Sequence, residues 1–197
     1  MAESEAAPPE PGESADVEVA AAADAKPAVT RGQRIRRIVT DLVLFGILLL
    51  GISAWTERGM LPANGDASPE LSLIALDGDV VSLTELDGAV LVHFWATWCG
   101  VCSKQHGGLN RLAANLPEGT NLVTVAVNSG SADEVRAYAD THELEFPILL
   151  DDGTAAEAFG VRVYPSDFYL NSAHEVVGRD AGYAPAWAIR QRLRAAR

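Results

Sequence analysis

The sequence has 197 residues, a length that suits one ordinary domain with appendages. It is 48% hydrophobic and carries a formal net charge of −12, and acidic side chains outnumber basic ones by 19 to 10 in residues 56–197. This balance excludes a chain that uses a basic face to bind nucleic acid. We therefore expect no nucleic-acid partner.

Residues 1–30 hold seven acidic side chains, a single basic one (Lys26) and no aromatic residue. Alanine, proline and glutamate make up much of the segment. Such a composition buries too little apolar surface to offset the entropy that is lost on ordering. It predicts a disordered acidic tail.

Residues 31–55 combine a basic flank, RGQRIRR, with the apolar run IVTDLVLFGILLLGISAW, in which Asp41 is the one charged residue. A membrane-spanning helix needs about 20 such residues, within a range of about 17–25. A buried core helix should show a polar face, which is missing here, and Ile52-Ser53-Ala54 makes a poor cleavage site. These features predict an uncleaved signal-anchor transmembrane helix.

The arginines precede the predicted membrane helix, so the positive-inside rule leaves the tail in the cytoplasm. Residues 56–197 then lie outside a bacterial inner membrane, facing the periplasm. Residues 56–67 are rich in turn formers and are expected to form a linker. A single domain is expected at 68–197.

In residues 68–197 the apolar period alternates between that of a strand and that of a helix. The predicted strands are an N-terminal hairpin in LSLIALDGDVVSL, the runs AVLVHFWA, NLVTVAV and FPILL, and a second hairpin in DFYL and HEVVG. The predicted helices follow the second cysteine, start at Ser131, occupy TAAEAFG, and close the chain in APAWAIRQRLRAAR. This order predicts an α/β fold, a mixed sheet flanked by helices.

Cys99 and Cys102 are the two cysteines of the chain. A tetrathiolate zinc site needs four of them, and haem attachment needs a histidine where Ser103 stands. A structural disulfide across so short a loop removes little entropy from the unfolded chain. A dithiol/disulfide couple remains, and it requires no cofactor.

The couple sits between a predicted buried strand and a helix. Cys99 would therefore lie at a helix N-terminus, where unpaired N–H groups and the helix dipole favour the thiolate, the attacking species in disulfide exchange. Cys102 follows one turn later, within reach to resolve a mixed disulfide. Gly100 leaves Cys99 accessible to a protein partner.

WATWCGVC, together with the later VYPSDFYL, resembles the thioredoxin superfamily, and more narrowly its membrane-anchored TlpA, ResA and DsbE-like branch. The likeness is greatest to the suppressor-of-copper-sensitivity protein D type. It implies a thioredoxin-like fold from about Ser68 onward, with Cys99 as nucleophile and Cys102 as resolving thiol. It also implies that Pro165 is a cis-proline beside the disulfide, and that the Tyr164 backbone pairs with an extended substrate. The expected substrate-contacting residues are Trp98, Gly100, Val101, Tyr164 and Pro165.

His93 lies six residues before Cys99, at a strand position that resembles the site of a buried acid in thioredoxins. A free histidine titrates near about pH 6.5, so His93 can accept a proton from Cys102 at neutral pH. The alternative is a core histidine that is hydrogen-bonded for packing alone. By superfamily strand order, Asp167 lies on the neighbouring strand, and we predict that it pairs with His93 and orients the imidazole. Alternatively, Asp167 points to water or caps a loop.

Gly107 and Gly108 are expected to produce a bend or a weak turn in the helix that follows the cysteines, because each costs about 1 kcal/mol relative to alanine in a helix interior. His106 lies four residues after Cys102 on the same helical face. A Cys102/His106 pair alone is too small for a stable metal site, which usually has three or four ligands. We therefore expect no metal.

The leading interpretation is a membrane-tethered thiol–disulfide oxidoreductase. Its expected partners are exported thiol or disulfide proteins and a membrane electron donor or acceptor. The second interpretation is a Sco-like copper-handling module, a family with C-x-x-x-C spacing and a distal histidine, for which His174 is a loose candidate. A peroxidase is disfavoured because no Thr or Ser stands three residues before a lone cysteine.

Overall fold

The structure, a computed structural model, describes residues 31–197. The predicted disordered tail at 1–30 lies outside the described residues. The described residues divide into two units, 31–44 and 45–197. The described part of the first unit is the beginning of helix α1 (Arg31–Thr56), whose remainder belongs to the second. Helix α1 is long and apolar enough to cross a membrane, and its large apolar side chains are exposed.

The predicted strands and helices form in the predicted order. The strands are β1 (Ser72–Ala75), β2 (Val80–Ser82), β3 (Ala89–Trp95), β4 (Thr120–Val127), β5 (Ile148–Asp151), β6 (Ser166–Leu170) and β7 (Val176–Ala181). The helices after α1 are α2 (Gly100–Ala113), α3 (Ala132–Thr141), α4 (Thr154–Ala158) and α5 (Ala186–Ala195), with one 3-10 turn at Leu83–Glu85.

The strands form one seven-stranded sheet in the order β2-β1-β5-β4-β3-β6-β7. Strand β4 pairs in parallel with β3 and β5, and the other pairings are antiparallel. Buried residues of α2, α3 and α5 pack on one face of the sheet, and those of α4 pack on the other. The mixed sheet, the flanking helices and the N-terminal hairpin of β1 and β2 are therefore confirmed.

Strand β3 lies inside the sheet, and all seven of its residues are buried. A strand covered on both faces needs apolar side chains throughout, which explains its continuous apolar run. Because side chains alternate across a strand, His93 lies on the same face as Leu91 and Trp95. Both of these pack in the core cluster that contains Cys102. The sequence thus places a histidine beneath the helix that carries the cysteines.

The weak turn expected at Gly107 and Gly108 is absent, because α2 continues without a break from Gly100 to Ala113. Gly108 faces α5, where an added Cβ would lie 3.3 Å from the Cβ of Ala186. The missing side chain therefore lets two helices pack closely, and the packing offsets the low helix propensity of glycine.

Part of the expected linker, 56–67, packs against the sheet. Met60 is buried in the core cluster that also contains Phe159. The Arg179 guanidinium donates to the carbonyls of Met60 and Leu61, both at 2.9 Å, and the Leu61 N–H donates to the Phe159 carbonyl at 3.0 Å. These contacts hold the chain that follows α1 on the surface of the domain.

Candidate active site

A disulfide joins Cys99 and Cys102 at the start of α2, with their Cα atoms 5.3 Å apart. Cys99 is the N-cap residue, and its Sγ accepts a hydrogen bond from the Cys102 N–H at 3.2 Å. Cys99 is 8% exposed, whereas Cys102 is fully buried. A partner molecule can therefore reach Cys99 only, and the helix N-terminus favours a thiolate there.

The Tyr164–Pro165 peptide bond is cis, as the resemblance implies. It directly precedes β6, whose first residue, Ser166, pairs with Phe94 near the end of β3. Since Cys99 follows the same end of β3, the proline and the disulfide lie at the same end of the sheet. Tyr164 packs against the core cluster that includes both cysteines.

Exposed apolar side chains surround this end of the sheet. Trp98 is 62% exposed, and its ring meets that of Tyr164 edge to face at 5.5 Å between centroids. The Trp98 indole N–H donates to the Asn128 carbonyl at 3.1 Å. Gly100 and Val101, in the first turn of α2, are also exposed. The five residues that were expected to contact substrate thus share one end of the sheet.

His93 and Asp167 face each other across β3 and β6 as paired residues. The His93 Nδ1 lies 2.6 Å from the Asp167 Oδ1, and both side chains are fully buried. The predicted pair is therefore present, and the alternatives for Asp167, a water-facing side chain or a loop cap, are wrong. A carboxylate at this distance accepts the Nδ1–H and leaves Nε2 as the acceptor nitrogen.

Two polar atoms of this pair have no hydrogen-bond partner within residues 31–197: the His93 Nε2 and the Asp167 Oδ2. Buried polar atoms are normally paired, and each exception costs about 1–3 kcal/mol. Such a cost persists where function requires the atom to bind something in another state. Cys102 is buried in the core cluster on the same face of β3, and it gains a thiol when the disulfide is reduced.

His106 is buried in a box of rings, with centroids 5.2 Å from Trp95, 5.9 Å from Tyr138 and 5.9 Å from Phe146. Both ring nitrogens lack a partner within the described residues. Burial, followed by the nearby His93 and His142, lowers the pKa of His106 to about 4. The four-residue spacing placed His106 on the same helical face as Cys102, but it did not predict the aromatic rings that surround His106.

His106 makes the fold sensitive to acid. The folded chain keeps it neutral down to about pH 4, whereas an unfolded histidine takes up a proton near pH 6.5. The depressed pKa of His106 therefore costs stability as the pH falls through this window. We expect the free energy of unfolding to drop by about 2 kcal/mol between about pH 6.5 and about pH 4.5 from this residue alone.

Urea unfolding at several pH values, followed by near-UV circular dichroism, measures this loss. His106→Phe keeps a ring in the box and should flatten the pH dependence by the same amount. Equal slopes for the variant and the parent chain over this window would contradict the prediction.

The copper-handling interpretation lacks a ligand set in the structure. Among residues 31–197, no group of three or more His, Cys, Asp or Glu side chains could hold a metal ion. The proposed distal ligand, His174, lies in the β6–β7 turn, where its Nε2 is 2.9 Å from the Leu86 carbonyl. Leu86 precedes β3, so His174 is at the opposite end of that strand from Cys99, about 20 Å away.

No sequence pattern indicated the loop that supports Trp98. The Thr97 N–H donates to the Ser129 Oγ at 3.1 Å, and the Thr97 hydroxyl donates to the Ser129 carbonyl at 3.4 Å. Asn128, which receives the indole N–H, has a positive φ of 45°. The stretch NSGS predicts only a turn. Its role depends on the parallel pairing of β3 and β4, which brings the two loops together.

Residues 64–179 match the AhpC/TSA family. The chain is 34% identical over 136 residues to the thioredoxin-like protein YneN of Bacillus subtilis, covering 64% of this chain and 79% of YneN. It is 29% identical over 126 residues to the thiol-disulfide oxidoreductase ResA of Halalkalibacterium halodurans, covering 62% of this chain and 70% of ResA.

Solved structures show the same fold. A thiol:disulfide interchange protein of the thioredoxin family from Chlorobium tepidum superposes with a TM-score of 0.60 at 23% identity, covering 69% of this chain and 99% of the other. Together with the cysteine pair at the start of α2, these likenesses identify the chain. It belongs to the AhpC/TSA family of thioredoxin-like proteins and is a thiol–disulfide oxidoreductase.

Proposed function

We propose that the chain exchanges disulfides with exported proteins through Cys99 and Cys102, from the outer side of a membrane. The observation that carries the proposal is the unequal exposure of the two sulfurs at one helix N-terminus. In the reducing direction the Cys99 thiolate attacks a client disulfide, forms a mixed disulfide and expels one client thiolate. The Cys102 thiolate then attacks Cys99, closes the disulfide and releases the second client thiolate, so two electrons pass to the client.

His93 and Asp167 are proposed to manage the proton of Cys102. Cys102 is fully buried, so its thiol needs a nearby base before it can attack the mixed disulfide. The unpartnered His93 Nε2 lies on the Cys102 face of β3, and Asp167 fixes the ring through Nδ1. His93 is thus the proton acceptor, and Asp167 is a positioning residue.

The client segment is proposed to lie in extended form along Tyr164 and Pro165. Within residues 31–197, no protein group is hydrogen-bonded to the Tyr164 backbone N–H or C=O. Both groups are available for strand addition, which supplies affinity without sequence preference. Trp98, Gly100 and Val101 would border the segment on the other side of Cys99.

We propose that α1 anchors the chain as a single span, with residues 1–30 as a cytoplasmic tail and the domain from 68 onward in the periplasm. The length and hydropathy of α1 and the arginines at its start support this arrangement. A membrane electron donor or acceptor would then regenerate the couple. The motifs WATWCGVC and VYPSDFYL favour the suppressor-of-copper-sensitivity protein D type within the family.

One labelling experiment tests the redox couple and its location. Spheroplasts of a bacterial host that express the full chain are treated with a membrane-impermeant maleimide, before and after dithiothreitol. We expect labelling of Cys99 only after reduction, from the outside and without lysis, whereas the buried Cys102 should be labelled only after denaturation. Labelling that requires lysis would contradict the location, and a disulfide that dithiothreitol fails to open would contradict the redox role.

A further inference from the structure

The exposed aromatic side chains of the globular part are concentrated at one place. Between residues 57 and 197, Trp98, Tyr183 and Trp187 are more than half exposed, at 62%, 56% and 68%. The other aromatic side chains in this range are buried or half-buried. Trp98 belongs to the site already described, but Tyr183 and Trp187 lie on the β7–α5 connection and the first turn of α5.

Three contacts bring this connection to the disulfide. The Gly182 N–H donates to the Pro165 carbonyl at 2.7 Å, which places Tyr183 beside the cis-proline. The Ala184 N–H donates to the Gln105 Oε1 at 3.4 Å, one turn beyond Cys102. Ala186 then packs against Gly108. The segment that carries Tyr183 and Trp187 therefore runs from the cis-proline along α2.

The charges on this side differ from those of the rest of the chain. The net charge is −12, yet no Asp or Glu occurs between Gly88 and Pro117 or after Asp180. The bases in those two stretches are Lys104, Arg111, Arg190, Arg194 and Arg197, together with Arg192, whose charge is paired with that of Asp180. A partner that covers the two aromatic rings would thus meet positive rather than negative neighbours, and acidic flanks on the partner would speed its approach.

We propose that Tyr183 and Trp187 form a client-recognition surface, which binds a segment with large apolar and acidic side chains next to the client's reactive cysteine. This inference rests on the proposed exchange reaction and names the class of client. Exposed tryptophan and tyrosine are the residue types that most often dominate binding energy at interfaces. An anionic lipid surface has related chemistry, but a client polypeptide is favoured because Tyr183 adjoins the cis-proline, where the client is proposed to bind.

The test uses the full chain, reduced, in nanodiscs, and two synthetic peptides that each carry one cysteine in a disulfide with glutathione. One peptide has Leu, Phe and Asp around its cysteine, and the other has Ser, Gly and Lys. The reduced chain converts each peptide disulfide to a peptide thiol and glutathione while its own cysteines become oxidised, which mass spectrometry follows. Glutathione disulfide serves as a small substrate without large apolar side chains.

We expect Trp187→Ala and Tyr183→Ala each to lower the rate constant for the apolar, acidic peptide at least fivefold. The rate constants for the other peptide and for glutathione disulfide should change less than twofold. Val80→Ala is the matched control, because Val80 is 69% exposed on the edge strand β2, far from the disulfide. It should leave all three rate constants unchanged.

Equal losses for both peptides, or no loss for either, would overturn the inference. Nanodiscs with brominated lipids test the lipid alternative, since quenching of a Trp187 signal that is absent in Trp187→Ala would place this surface on the bilayer and overturn it too. Failure of the parent chain to exchange with glutathione disulfide would instead overturn the proposed function, so the two failures are distinguishable.

Discussion

Replacing Cys99 with serine is expected to abolish exchange with a protein disulfide, whereas replacing Cys102 with serine should stop the reaction halfway. Cys99 is the sulfur that a client can reach, and its position at the N-cap of α2 favours the thiolate. A serine hydroxyl stays protonated at neutral pH and does not attack disulfides. We expect the rate constant of Cys99→Ser to fall by at least about a thousandfold.

Cys102→Ser retains the attacking sulfur of Cys99 but lacks the second sulfur that closes the intramolecular disulfide. The mixed disulfide with the client should therefore accumulate, and dithiothreitol should release it. Non-reducing gels and intact-mass measurements of the reduced full chain after mixing with insulin distinguish the two variants, which serve as controls for each other. An adduct on Cys99→Ser, with none on Cys102→Ser, would show that the roles of the two sulfurs are reversed.

The sequence predicted the site well where local pattern and strand order determine the geometry. The strand–WCGVC–helix arrangement placed Cys99 at a helix N-terminus because an apolar strand and a helical spacing flank it directly. The pairing of His93 with Asp167 followed from two polar residues in apolar runs, once superfamily order set their strands side by side. In both cases the fold leaves little freedom for the side chains.

Contacts between distant segments were not predictable in the same way. The aromatic box around His106 is built from β3, α3 and the loop before β5, and no sequence period reports which helix faces will meet. Gly108 was interpreted from its propensity, although its effect depends on the approach of α5. No sequence pattern indicated a role for Tyr183 and Trp187. Their position became apparent only from the hydrogen bond between the Gly182 N–H and the Pro165 carbonyl.

Breaking the His93–Asp167 pair is expected to slow the closing of the disulfide by about a hundredfold at neutral pH, which is the usual range for losing a general base. His93→Leu removes the acceptor nitrogen, and Asp167→Leu removes the group that orients it. Rapid mixing of the preformed mixed disulfide with a thiol trap measures this step. The deficit should shrink above about pH 8.5, where a free thiol loses its proton without a base.

Measurements of stability distinguish a role of the His93–Asp167 pair in proton transfer from a role in packing alone. Each single variant leaves a buried polar partner behind, so the free energy of unfolding should fall by about 2–5 kcal/mol. The double variant His93→Leu/Asp167→Leu leaves none and should regain most of that stability, as measured by urea unfolding. If its closing rate recovers along with its stability, the pair is a packing feature; we expect stability to return and the rate to stay low, because two leucines fill the space but accept no proton.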